Sequence, residues 1–311
     1  DIMNKLGRSV LALYSYDDNP DDNSLENIMR QSIQLIARMP AIMTYAYQVK
    51  RRHYDKESMY FHPLVNGHST AESILNAIRP DRKFTDEEAK LLDILMILHA
   101  EHGGGNNSTF SARVLSSSGT DTYAAISAAI GSLKGPRHGG ANHRVMQMMN
   151  CIKENVKDWA DEEELEAFLA RIVRKEEGDR SGLIYGQGHA IYTLSDPRAV
   201  IIKEHARYLA LKKGMEKEFN LFESVERLAP RVFAEVKGDK KVLCANVDFY
   251  SGLVYEMLGL PSDLYTPMFA VSRIAGWCAH RVEEVMTGGR IIRPAYRSLV
   301  HNREYIPLEK R

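Results

Sequence analysis

Apolar residues recur along this chain at intervals of three and four far more often than in alternation. The pattern therefore predicts helices and almost no sheet. After the polar stretch 17–24, Leu25, Ile28, Met29, Ile33 and Ile36 form one helical stripe, which Pro40 is expected to kink or end. Thr85 with Glu88 three residues later is a capping-box signature. The helix it opens runs through Leu91, Leu92, Leu95, Met96 and Leu98 and ends near Gly103. Further helices are predicted over 123–133, 145–156 and 164–173. Asp196-Pro197 places a capping carboxylate before a proline at the first helical position, and Ile201, Ile202, His205, Leu209 and Leu211 continue that helix. Helices over 219–236 and 252–258 follow, and Thr266-Pro267 repeats the start signature before 269–286. Only 182–185 and 242–245 look strand-like, and 175–182 suggests a hinge or exposed loop. No internal repeat or low-complexity segment occurs.

The 311 residues suffice for two ordinary domains or one large one. Apolar residues are 44% and charged residues 26%, which fits a globular chain with a sizeable core. Lys+Arg and Asp+Glu are both 41, so nothing in the balance calls for nucleic acid or an anionic membrane. Cys151, Cys244 and Cys278 are odd in number, widely spaced and set among apolar neighbours, which suits buried thiols in a reducing compartment. No apolar run approaches the ~20 residues of a membrane span. The chain opens on Asp1 without a signal-peptide pattern and reads as beginning inside a longer sequence.

Candidate chemistry gathers at glycine-rich places. His102 precedes Gly103-Gly104-Gly105, His138 precedes Gly139-Gly140, and His189 follows Gly186-Gln187-Gly188. Glycine lets backbone approach a ligand closely, so an imidazole there is poised to meet one. His99 and His102 could share a helix face and hold a metal, but neither HExxH nor CxxC accompanies them, and His99 reads as a packing residue. The glycines match neither GxGxxG nor a P-loop. Asp248, between apolar segments, suits a general base with a raised pKa, or else a helix cap. Arg198, Arg293 and Arg303 are possible carboxylate clamps, since the guanidinium fork pairs bidentately, or else solvated surface charges.

Five segments in fixed order give the chain a family resemblance: HAEHGGGNNST at 99–109, GPRHGGAN at 135–142, GQGHAIYTLSDPRA at 186–199, NVDFYSG at 246–252 and IIRP at 291–294. Together they resemble citrate synthase, from about residue 9 to residue 308. The resemblance implies an all-α fold of two domains: a large one over 1–140 and 260–311, and a small mobile one over 141–259. It implies condensation of oxaloacetate with acetyl-CoA, as co-substrate, through an enol or enolate, then hydrolysis of citryl-CoA to citrate and CoA. His138 would bond the acetyl thioester oxygen, Asp248 would take a methyl proton, and His189 would polarise the oxaloacetate carbonyl. His102, Arg198 and Arg293 would hold the oxaloacetate carboxylates, and Arg303 would reach the neighbouring subunit's site in a homodimer. No permanently bound cofactor and no metal are implied, and the expected location is the cytoplasm.

Gln187 departs from the family, which usually has an aromatic residue there. Thr193 stands where many members carry a basic residue that reaches CoA phosphates, so that contact has no candidate. Arg303 lies one residue closer to Arg293 than in many members. Within the class the alternative is 2-methylcitrate synthase, because one methylene discriminates by only ~1–3 kcal/mol. Outside it, the alternatives are a catalytically silent helical module and a metal hydrolase built on His99 and His102.

Overall fold

A computed structural model describes residues 1–63, 65–188, 192, 194–238, 243–301 and 303–311. Twelve α-helices form among these residues, and the only strand-like pairing is an isolated bridge between Gln187 and Ala245. The all-α expectation holds, and 182–185 forms no strand.

The helices begin where local chemistry starts them. Asp1 caps α1 (Ile2–Leu13), and Ser24 caps α2 (Leu25–Lys50). Ser69 and Glu72 form a capping box on α3 (Thr70–Ile78), as Thr85 and Glu88 do on α4 (Asp86–His99). Then come α5 (Asn107–Ser116), α6 (Thr122–Lys134), α7 (Ala141–Asn155) and α8 (Glu162–Val173). Helix α9 (Pro197–Lys213) starts on the Asp196-Pro197 signal and stops at Gly214 in the left-handed conformation. Helices α10 (Glu216–Lys237), α11 (Val247–Met257) and α12 (Tyr265–Met286) complete the set.

Three expectations need correction. Pro40 does not end α2, because Met39 and Met43 on either side are fully buried and hold the axis through the missing N–H. The core stripe of α2 is Ile28, Gln31, Ser32, Leu35, Met39 and Met43, while Leu25, Met29, Ile33 and Ile36 face outward. Polar residues occupy core positions there because Gln31 is satisfied inside: its Nε2 donates to Asp17 Oδ2 at 3.0 Å and its Oε1 accepts from Thr122 Oγ1 at 2.5 Å. Thr266 is not a cap: α12 rises directly from a tight turn at Ser262–Leu264, and Thr266 Oγ1 donates to Gly139 O at 2.9 Å.

Helix α12 is the hub. It packs on α2, α4, α5, α6 and α7, and its Arg273, Trp277 and Arg281 are wholly buried. Helices α8, α9, α10 and α11 pack mainly with one another and with α7. Among the described residues the main helix–helix bridges between this group and the rest run from α4 to α9 and from α7 to α12. No helix among the described residues is long and apolar enough to cross a membrane.

Candidate active site

The loop after α4 holds His102. Glu101 Oε1 accepts from the backbone N–H of His102 at 2.7 Å and from that of Gly103, folding the chain back on itself. His102 Nε2 then lies 3.4 Å from Arg198 Nη2 in the first turn of α9. The guanidinium can only donate, so Nε2 accepts and the ring proton belongs on Nδ1.

Asp196 fixes Arg198 by a fork, receiving Nε at 3.0 Å and Nη2 at 2.8 Å. The same carboxylate is fully buried and also accepts from the N–H of Val247, the first residue of α11, at 3.1 Å. Burial pushes Asp196 up, but its bonds and charge pairing with Arg198 more than reverse that, so it stays ionised. One carboxylate thus ties the start of α9 to the start of α11.

Asp248 lies one residue inside α11. Asn246 is the cap, accepting from the Asp248 N–H at 3.0 Å, so the Asp248 side chain is not spent on capping. The residue keeps a little exposed surface but is packed round by protein. Desolvation lifts it to about 6, against the pull of Arg198 and Arg273 and with help from Asp196. Near neutrality it is ionised yet more basic than an ordinary aspartate, the condition a general base needs.

His138 follows α6 in a tight turn. A Cβ on Gly139 would lie 2.0 Å from Leu133 O, so only glycine allows this path. His138 Nε2 accepts from the Ser108 N–H at 3.3 Å and stands 3.0 Å from Ser108 Oγ. Because a backbone N–H is an obligate donor, the imidazole carries its own proton on Nδ1. Trp277 Nε1 donates to Ser108 Oγ at 3.2 Å and steadies it from α12. Burial, and secondarily the charge of Arg273, hold His138 below the usual imidazole range, so it presents a neutral N–H.

The segment before His189 is clasped to the one before Asp248. Gly188 N donates to Cys244 O at 2.7 Å, Asn246 N to Gly186 O at 2.9 Å, and Asn246 Nδ2 to Gly188 O at 3.0 Å. Gly186 has φ +76°, and a Cβ there would meet Phe249 Cδ2 at 2.7 Å. His189 itself, like Thr193, lies outside the described residues.

Sequence reasoning missed Arg273. Its Nε donates to His99 O at 2.5 Å, whereas Nη1 and Nη2 are buried without a hydrogen-bond partner among the described residues. Burial lowers it to about 10, with Glu101, Arg198 and Asp248 among the charges that act on it. A buried guanidinium with its fork unfilled is a site for an anion. The available signal was a lone arginine inside the apolar run 270–279.

Arg198 and Arg273 therefore bring His102, His138 and Asp248 into one electrostatic neighbourhood. Arg293 and Arg303 are not brought there: both stand exposed on the segment after α12, with no hydrogen-bond or ion-pair partner among the described residues. His99 is buried, its Nδ1 donates to Leu95 O at 2.7 Å, and burial lowers it to about 4. Among the described residues no three His, Cys, Asp or Glu side chains are placed to share a metal ion.

Known proteins resemble this chain in sequence and fold. The family model described as citrate synthase, C-terminal domain, covers residues 1–295. A citrate synthase of Synechocystis is 41% identical over 226 residues, which are 72% of this chain and 52% of that protein. A 2-methylcitrate synthase of Shewanella oneidensis is 35% identical over 89% of this chain and 67% of its own length. The citrate synthase of Thermoplasma acidophilum, solved as a ternary complex with carboxymethyl coenzyme A and oxaloacetate, superposes with a TM-score of 0.77 at 30% identity. That likeness takes in 100% of this chain and 76% of the other. The match thus spans about half the length of the Synechocystis relative. Extended over nearly the whole chain, these likenesses establish that it belongs to the citrate synthase family.

Proposed function

We propose that the protein condenses oxaloacetate with acetyl-CoA and hydrolyses the resulting citryl-CoA to citrate and CoA. The observation that carries this reading is a neutral Nδ1–H on His138 and an unusually basic Asp248 that share the charge of one buried guanidinium, Arg273, with the half-buried Arg198 acting on Asp248 as well. Oxaloacetate brings two negative charges; the unfilled fork of Arg273 together with Arg198 offsets them, and the neutral His102 ring offers its Nδ1–H as a donor. Asp248 takes a proton from the acetyl methyl group while the His138 N–H bonds the thioester oxygen, giving an enol or enolate. Its carbon attacks the oxaloacetate carbonyl, to which His189 donates, and the new C–C bond yields citryl-CoA. Water then cleaves the thioester.

Arg273 takes the clamp role that the sequence reading gave to Arg293. We assign Arg293 and Arg303, exposed on the terminal segment, to the site of a second copy in a homodimer. The grouping of α7–α11 supports a small lobe over 141–259 that closes on the remainder and excludes water once oxaloacetate binds. Unpaired Cys151, Cys244 and Cys278 support a cytoplasmic location. No permanently held cofactor is needed for this chemistry.

The test is oxaloacetate-dependent release of free CoA from acetyl-CoA. A folded protein without turnover would leave a silent binding module. A 2-methylcitrate synthase is the second reading, supported by the Shewanella relative. A clear rate preference for propionyl-CoA would replace the first with it.

A further inference from the structure

Three positions on one face of α12 meet three consecutive residues ahead of His102. Arg273 Nε donates to His99 O. A Cβ on Gly276 would stand 2.4 Å from Ala100 O and 2.4 Å from Glu101 Oε2, so helix and loop backbone are in direct contact. His280 Nε2 lies 3.1 Å from Glu101 Oε1, the same oxygen that receives the His102 and Gly103 amides. On its other side, His280 Nδ1 lies 3.0 Å from Glu283 Oε2. Ionised carboxylates only accept, so the ring satisfies both partners only when both nitrogens carry protons. The His280 side chain is 16% exposed and that of Glu101 44%, so solvent screens the pair in part and its contribution is modest.

We propose that His280 is a positioning residue for His102: it grips Glu101, and Glu101 sets the path of the His102 main chain. It touches no substrate. The inference rests on the reading of His102 as an oxaloacetate ligand, and it adds a residue that neither the sequence motifs nor the site chemistry required.

The test compares wild type, His280→Ala and His280→Gln in steady state, with amide hydrogen exchange over 100–105 measured in parallel. His280→Ala should raise KM for oxaloacetate about two- to fivefold, the range of a partly exposed charged pair. KM for acetyl-CoA and kcat should stay within about twofold. His280→Gln keeps one donor toward Glu101 and should restore most of the loss. Exchange at the His102 and Gly103 amides should quicken about tenfold in the alanine variant. An unchanged oxaloacetate KM together with unchanged exchange overturns the proposal. So does a loss spread equally over both substrates and kcat that glutamine does not rescue. If wild type itself releases no CoA, the proposed function fails, and amide exchange alone then decides the role of His280. Should the alanine variant not fold, the glutamine variant carries both measurements.

Discussion

Arg273 donates through Nε to the main-chain carbonyl of His99, a residue 174 positions away, at 2.5 Å. That bond uses the inner nitrogen and leaves the outer two, Nη1 and Nη2, buried and unfilled. The guanidinium is thereby held in place with its carboxylate-binding edge open.

Replacing Arg273 by methionine should raise KM for oxaloacetate by a hundredfold or more, since a buried bidentate partner is lost. The same change should leave thermal stability roughly unchanged, because relief of a desolvated charge is set against loss of the Nε bond to His99 O. Melting curves with and without oxaloacetate check both, and the ligand-induced rise in Tm should vanish in the variant. A large fall in unliganded Tm would mean that the fork serves packing rather than binding.

Asp248→Asn should lower kcat by about 10²–10⁴, the usual contribution of a positioned base. It should also stabilise the protein near neutral pH. In the fold the carboxyl titrates at about 6, against 3.8 ordinarily, so the native state holds its proton more tightly than the unfolded chain does. That preference favours folding fully below the ordinary value and is lost as pH rises through 6, a difference of about 3 kcal/mol. Urea unfolding at pH 7 and pH 4 should show the variant's advantage at pH 7 only.

His99 works in the opposite sense. Buried and lowered to about 4 from 6.5, it supports the neutral form, and that stability is lost as pH falls through 4. The amount is again about 3 kcal/mol. Wild type should therefore change little between pH 6.5 and pH 4 from these two groups. The Asp248→Asn variant should lose stability steeply over the same interval, as equilibrium denaturation would reveal.

Gly276→Ala should destabilise the protein by about 1–3 kcal/mol, because the added methyl group meets the Ala100 carbonyl as well as the Glu101 carboxylate, and the backbone carbonyl cannot turn away as a side chain can. Oxaloacetate KM should rise with it, since the loop that moves is the one carrying His102. Thermal melts and steady-state kinetics read the two effects separately.

How much was legible in the sequence varied with the locality of the signal. The Thr85–Glu88 capping box and the Asp196-Pro197 start appear as read, because each depends on neighbours within one turn. Helix α2 was misread at the face that matters: Gln31 faces inward, and what makes that tolerable is Asp17 and Thr122, remote in sequence. Helices α3 and α5, nine and ten residues long, gave too short a pattern to stand out. The glycines beside His102 and His138 marked close backbone approaches, but no spacing encodes that α12 gathers them. Arg273 escaped because an arginine in an apolar helix is ordinarily a boundary or a surface charge. Only the burial of its unfilled fork distinguishes it.

Asp196 has a wider consequence. Because the same buried carboxylate grips Arg198 and receives the Val247 amide, the cation that would hold one reactant and the base that would activate the other share a single anchor. A displacement of that carboxylate therefore carries Arg198 and the start of α11 with it. A single mutation at that anchor would blur this alignment while leaving every group that meets the reactants chemically intact.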